Sequence, residues 1–151
     1  MQMTLIDRLG DWNAQLFREL KGRLTLRRVL IAAGSSLAVQ TLMLGMVSDE
    51  RCAYQDTFAC SQYYVEINWL PLFMMLTSMM SVLLFAGGAY LTIDDWAREE
   101  RRGTLNFIRL SPQSSQSILW GKLLGVPALI YLAVGVAIPL HLIAAIAAGI
   151  P

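Results

Sequence analysis

Three long stretches of the sequence contain no Asp, Glu, Lys or Arg, and they constrain the fold more than any other feature. They are residues 29–48, 67–93 and 123–151, which have 20, 27 and 29 residues. An α-helix rises about 1.5 Å per residue, so about 20 apolar residues cross the hydrocarbon core of a bilayer. Buried core helices of soluble proteins, the alternative, usually carry apolar runs of about 10–14 residues. The stretches therefore predict three transmembrane helices in an all-α membrane protein.

Composition supports the same class. Hydrophobic residues make up 56% of the 151 residues and charged residues 15%, whereas soluble domains have about 25% charged residues. This composition excludes a disordered chain and a disulfide-rich miniprotein. It predicts a lipid bilayer as the surroundings and gives no indication of nucleic-acid binding.

The positions of Lys and Arg predict the orientation. Six precede residue 29, one (Arg51) lies in residues 49–66, and five lie in residues 94–122. Because cytoplasmic segments are enriched in Lys and Arg, the N-terminus and residues 94–122 are predicted to be cytoplasmic. Residues 49–66 and the C-terminal end of this chain are predicted to be extracytoplasmic, in a multi-pass protein of a plasma or inner membrane.

The N-terminal segment 1–28 has helical periodicity. Apolar residues recur at steps of three or four, namely Leu5, Leu9, Trp12, Leu16, Leu20 and Leu24. This spacing predicts an amphipathic helix that lies along the inner membrane surface or packs on a soluble partner. Gly22 and the pair Arg27–Arg28 are expected to mark the bend into the first span.

Both cysteines, Cys52 and Cys60, lie in the segment 49–66. An oxidising compartment permits a disulfide between them, which would contribute about 2–3 kcal/mol by closing a short loop. The alternative is two free thiols. No histidine or second cysteine pair accompanies them, so they do not predict a metal site.

The segment 94–122 connects the second and third spans. It continues the second span as a charged helix, and Gly103 is expected to end that helix in a left-handed conformation. A short helix is then predicted from Thr104 to the stop at Ser111–Pro112, with Leu105 and Ile108 on its apolar face. An apolar knob with a charged rim suits docking into a groove of a cytosolic protein, and the alternative is a solvated connection.

This segment resembles a known family. The series Glu99-Glu100-Arg101-Arg102-Gly103-Thr104-Leu105, Leu110-Ser111-Pro112-Gln113-Ser114 and Gly121-Lys122-Leu123-Leu124-Gly125 is similar to the first cytoplasmic loop of ABC-2 type transporter permeases, most of all to cyanobacterial members. The amphipathic N-terminal helix and the order of spans extend the resemblance to most of the chain.

The resemblance implies roles for particular residues. The N-terminal helix would be an elbow helix, and the loop would form a coupling helix that contacts a cytosolic ABC ATPase subunit. The implied contact residues are Glu99, Glu100, Arg101, Arg102, Gly103, Thr104, Leu105, Ile108, Ser111 and Pro112. Lys122 would mark the return to the membrane.

Two departures from the family pattern stand out. Asn106 occupies a position where the family often has Glu. The chain also offers three spans where such permeases usually have about six, so a second permease half or another subunit, as a homo- or hetero-oligomer, is an expected partner.

No catalytic or cofactor-binding motif occurs in the sequence. The pair Gly121–Lys122 lacks the upstream glycine-rich loop of a P-loop, and no HExxH motif or nucleophile elbow occurs. We therefore expect neither an enzyme nor a resident cofactor or metal, and ATP hydrolysis would come from the partner.

Two polar residues fall inside predicted spans. Gln40 in the first span is expected to bind a neighbouring helix, or else to contact substrate. His141 follows Pro139 and is a functional candidate or a hydrogen-bond partner of the backbone that the proline frees. Small residues in the first and third spans predict close helix packing, and Gly87–Gly88 is expected to interrupt the second.

Two functions follow from these features. The first is a membrane subunit that couples ATP hydrolysis by a partner to substrate export. The alternative is a non-transporting subunit that keeps the permease half-fold for anchoring or assembly. The EERRGTL series favours the first, and the small number of spans favours the second.

Overall fold

The protein is mostly helical, and the computed structural model describes residues 13–55, 60–103 and 115–150. The first described helix is α1 (Ala14–Arg23), followed by α2 (Leu26–Met46). Two strands, β1 (Ser48–Gln55) and β2 (Cys60–Ile67), precede α3 (Trp69–Val82). A π-helical turn (Leu83–Gly87) joins α3 to α4 (Gly88–Arg101), and α5 (Ser115–Gly125) and α6 (Ala128–Ala147) complete the described part.

Three helical segments are long and apolar enough to cross a membrane. They are Leu26–Met46, Trp69–Arg101 and Ala128–Ala147, with 21, 33 and 20 residues. Large apolar side chains such as Leu26, Phe85 and Ile146 are at least 75% exposed, as expected for helices surrounded by lipid. The predicted multi-pass membrane protein is confirmed at this level.

The second span continues through its glycine pair without a break. Leu83–Gly87 widens into a π-helical turn, and α4 follows directly. A Cβ at Gly87 would lie 3.0 Å from Ile130 Cδ1, so the missing side chain lets α6 approach. At about 1.5 Å per residue the 33-residue helix measures about 50 Å, so its charged end extends beyond a hydrocarbon core of about 30 Å.

The third uncharged run is two helices instead of one. α5 ends at Gly125, Val126 and Pro127 form a turn, and α6 begins at Ala128. Proline has no N–H to continue the hydrogen-bond ladder of α5, which explains the break. Residues 123–125 consequently belong to a helix outside the third span.

The bend after the N-terminal helix lies at Leu24–Thr25, since Gly22 is helical within α1. Thr25 is extended, with φ −79° and ψ 145°. Arg28 Nη1 donates to the Gly22 carbonyl at 3.0 Å across this bend. The arginine pair therefore contributes to the bend, whereas the glycine does not form it.

A β-hairpin replaces the loop expected between the first two spans, so the all-α class does not extend to this connection. β1 and β2 pair antiparallel, with Ser48 opposite Ile67 and Arg51 opposite Tyr64. Aromatic and β-branched residues in Tyr63–Val65 favour an extended strand. Cys52 is disulfide-bonded, and Cys60, the other cysteine of the chain, begins the facing strand.

The apolar core lies where the hairpin meets the spans. It contains Val47, Leu72, Leu76 and Ala144, of which Leu72 and Ala144 are 0% exposed. Asn68 Nδ2 donates to Asp49 Oδ2 at 2.7 Å and holds the start of α3 against β1. This end of the bundle is distinct from the opposite one, where α1, α4 and α5 meet.

Candidate functional site

A cap at Asn13 joins the start of α1 to α5. Asn13 Oδ1 accepts from the Leu16 N–H at 3.0 Å, which satisfies a free donor of the first helical turn. Its Nδ2 donates to the Ser117 carbonyl at 2.9 Å. Asn13 is 5% exposed, so one buried amide both starts the helix and fixes it to α5.

Two glycines four residues apart let α1 and α5 approach closely. A Cβ at Gly121 would lie 2.9 Å from Gln15 Cβ, and a Cβ at Gly125 would lie 2.6 Å from Glu19 Cβ. Both distances are too short for real side-chain carbons. The pair Gly121 and Gly125 therefore makes one face of α5 on which α1 rests.

Lys122 lies between these glycines and is almost completely buried. Its side chain is 2% exposed, and its Nζ lies 2.7 Å from Asp95 Oδ2 and 2.6 Å from Glu99 Oε2. Asp95 and Glu99 are one turn apart on α4, so one ammonium group bridges two carboxylates of the same helix face. Burying a lysine charge is costly unless it is paired, and these carboxylates supply the pairing.

Arg23 extends this network to the N-terminal helix. Its Nη2 lies 2.6 Å from Asp95 Oδ1, and its Nε lies 3.2 Å from Glu19 Oε2. We call Glu19, Arg23, Asp95, Glu99 and Lys122 the charge cluster. Through it α1, α4 and α5 are joined by ion pairs at one end of the bundle.

The carboxylates of Glu19, Asp95 and Glu99 lie close enough to suggest a cation site, since ligand oxygens of the three are within 4.8 Å of one another. Lys122 Nζ and the Arg23 guanidinium already contact these carboxylates. The arrangement is therefore a network of fixed protein charges, and its chemistry is structural pairing across three helices.

The described part of the predicted coupling loop consists of Glu99, Glu100, Arg101, Arg102 and Gly103. Glu99 belongs to the charge cluster, whereas Glu100, Arg101 and Arg102 are exposed. Gly103 has φ +68°, which confirms the left-handed helix end expected there. Thr104, Leu105, Ile108, Ser111 and Pro112 lie outside the described residues.

The two polar residues inside the spans have protein partners. Gln40 is 6% exposed, and its Nε2 donates to Ser36 Oγ at 3.1 Å. His141 Nε2 lies 3.2 Å from Thr77 Oγ1, and its ring meets Phe73 edge-on at 4.7 Å. His141 thus contacts a side chain of α3.

The charge cluster was not predicted from the sequence, although a signal for it exists. Asp95 and Glu99 are four residues apart, and so are Glu19 and Arg23, so each pair shares a helix face. Lys122 sits between Gly121 and Gly125, a small-x-x-x-small pattern that permits close helix approach. A lysine inside such a pattern needs buried partners, and the carboxylates of these two pairs are the candidate partners.

Comparison of the chain with protein-family models, with curated proteins and with solved structures finds no match.

Proposed function

We propose that this protein is the membrane subunit of an ABC-2 type transporter, which couples ATP hydrolysis by a cytosolic partner to export of a substrate. The charge cluster is the observation that carries the proposal. It unites the N-terminal helix, the end of the long second helix and the helix leading to the third span immediately beside the segment that resembles a coupling loop.

The cluster gives that loop mechanical continuity with the bundle. Residues 104–114 connect α4 to α5, and Lys122 of α5 is ion-paired with Asp95 and Glu99 of α4. A displacement of the loop by a docked partner would therefore move α4 and α5 together. Because Arg23 of α1 is ion-paired with Asp95 of α4, α1 would move with them.

The exposed surface near the loop suits docking of a protein. Glu100, Arg101 and Arg102 are exposed at the end of α4. A shallow apolar groove beside Glu100 is lined by Trp96 and Leu119, which are 45% and 46% exposed. An apolar anchor region with a mixed-charge rim is typical of a protein–protein contact.

Association with a co-purifying P-loop ATPase subunit tests the proposal. Reversing three exposed charges, with Glu100→Lys, Arg101→Glu and Arg102→Glu together, should weaken ATPase recovery in mild detergent about tenfold or more, because like charges then face each other. Glu50→Lys on β1, exposed at the other end of the chain, is the matched control and should leave recovery unchanged. Glu99 is unsuitable for this test because its reversal also disrupts the pairing with Lys122.

Equal recovery from the charge-reversed and control proteins would argue against docking at this surface. Retained association without ATP-dependent flux in reconstituted vesicles would instead favour the anchoring or assembly subunit. The two outcomes separate the docking part of the proposal from the transport part.

The proposed orientation places α1 in the cytosol and the hairpin outside. In intact cells a membrane-impermeant maleimide should label the hairpin cysteines after reduction with an impermeant phosphine, and not before it, because Cys52 is disulfide-bonded. In a Cys52→Ser, Cys60→Ser background, Arg18→Cys on the exposed face of α1 should react only after permeabilisation. Labelling of Arg18→Cys in intact cells would contradict the proposed orientation and place α1 outside the cell.

A further inference from the structure

A cavity of about 250 Å³ lies between α2, α3 and α6. Most of its lining is apolar and includes Val39, Leu76, Met79 and Ala137, and Ser36 and Gln40 contribute polar groups. An engineered cavity of about 150 Å³ in another protein binds benzene, so this one has room for a larger apolar molecule. Methionine side chains are flexible, which lets such a lining adapt to the shape of an occupant.

Gln40 provides a hydrogen-bonding group deep in the bundle. It lies fourteen residues after Leu26 on α2, or about 21 Å along the helix. Only 6% of the Gln40 surface is exposed. A polar group at this depth has no bulk water to bond with, so an unsatisfied oxygen there costs free energy.

The hydrogen bonds around Gln40 have a defined direction. Ser36 Oγ donates its hydrogen to the Ala133 carbonyl at 2.7 Å. It can therefore only accept from Gln40, whose Nε2 lies 3.1 Å away. This assigns the amide nitrogen to Ser36, and Gln40 Oε1 receives no hydrogen bond from any residue in the described ranges 13–55, 60–103 and 115–150.

We propose that this cavity binds a lipid-soluble small molecule that carries one hydroxyl group on an apolar body. The hydroxyl donates to Gln40 Oε1, and the apolar part fills the space between Val39, Leu76, Met79 and Ala137. An alkane of equal size leaves the carbonyl oxygen unsatisfied, so the site prefers the alcohol. The inference is independent of the proposed transport function, since it needs neither an ATPase nor a substrate path.

Photolabelling of the purified protein in lipid nanodiscs tests the site. The probes are an octanol that carries an aliphatic diazirine and the diazirine octane of the same length. The alcohol should label residues 35–40 and 76–83 saturably, with competition by unmodified octanol. Gln40→Leu should raise its half-saturating concentration about fivefold to tenfold, the loss expected for one hydrogen bond, and leave that of the alkane unchanged.

Two further variants make the result decisive. Thr41→Leu changes a neighbouring polar residue that is exposed on α2 and should label like the wild type. Val39→Trp fills the cavity while keeping Gln40 and should abolish saturable labelling by both probes, which decides the matter even where Gln40→Leu fails to fold. Labelling that is unsaturable and spread over lipid-facing residues, or alcohol binding unaffected by both cavity variants, would overturn the proposal.

Discussion

Replacing Lys122 with methionine is expected to destabilise the protein more than any other single change considered. The substitution keeps an unbranched side chain, one atom shorter, but leaves Asp95 and Glu99, which the ammonium contacts at 2.7 and 2.6 Å, without that cation. Removing one partner of a buried ion pair costs about 3–5 kcal/mol. We therefore expect the apparent Tm in detergent to fall by about 10 °C, measured as loss of monodisperse protein after heating.

A matched lysine provides the control for this change. Lys21 on α1 is exposed, and its Nζ lies 5.5 Å from the centre of the Phe17 ring. Lys21→Met should lower stability by no more than about 1 kcal/mol, the value of an exposed cation–π contact. Glu99→Gln added to Lys122→Met should restore part of the loss by removing a charge that the lysine had balanced. A Tm for Lys122→Met equal to that of Lys21→Met would contradict the prediction, because it would show that the ion pairs of Lys122 do not contribute to stability.

Replacing Gly125 with leucine is expected to displace α1 from α5. Any Cβ at Gly125 would lie 2.6 Å from Glu19 Cβ, so the two helix backbones must separate. Overpacking of this kind costs about 1–3 kcal/mol. It also moves Arg23 of α1 away from Asp95 of α4, its partner at 2.6 Å. Spin labels at Arg18→Cys and Gln116→Cys, both exposed, should report a longer and broader distance distribution.

Gly135→Leu is the corresponding control in α6. A Cβ there meets nothing within 4 Å and Gly135 is exposed, so leucine should fit, and it favours the helix more than glycine does. The label distance between α1 and α5 should then match that of the parent protein. If the label distance in Gly125→Leu is unchanged, the prediction is wrong, because α1 then packs on α5 without requiring glycine at position 125.

The spans could be predicted from the sequence because membrane helices leave a signal in local composition. Runs without charge, such as residues 29–48, satisfy their backbone hydrogen bonds within the helix, so no distant partner is needed to identify them. The hairpin at Ser48–Ile67 was missed because strand pairing depends on two segments together. The turn at Val126–Pro127 shows that an uncharged run can contain a helix boundary that only the proline marks.

The candidate site was harder to predict because its residues are distant in sequence. Glu99 was predicted to contact a partner ATPase, and the structure adds an ion pair with Lys122, which the pattern of α4 alone did not indicate. Lys122 was expected to mark the membrane boundary, and its 2% exposed side chain shows a buried role. Gln40 was expected to bind a neighbouring helix or to contact substrate; its amide bonds to Ser36 of the same helix, and Ser36 in turn bonds to Ala133 of α6. Such contacts follow from which helix faces meet, and the pattern of a single helix does not contain that information.

The contacts of α1 also impose an order on biosynthesis. Asn13 bonds to Ser117, 104 residues later, and Arg23 pairs with Asp95, 72 residues later. At about 5–20 residues per second, a ribosome needs roughly 5–20 s to proceed from the first of these residues to Ser117. During that time α1 exists without its partner helix, and its apolar face, including Leu16, has to be covered by something else. Residence at the membrane surface would cover it, and an amphipathic sequence suits that position while the partner helices are still being made.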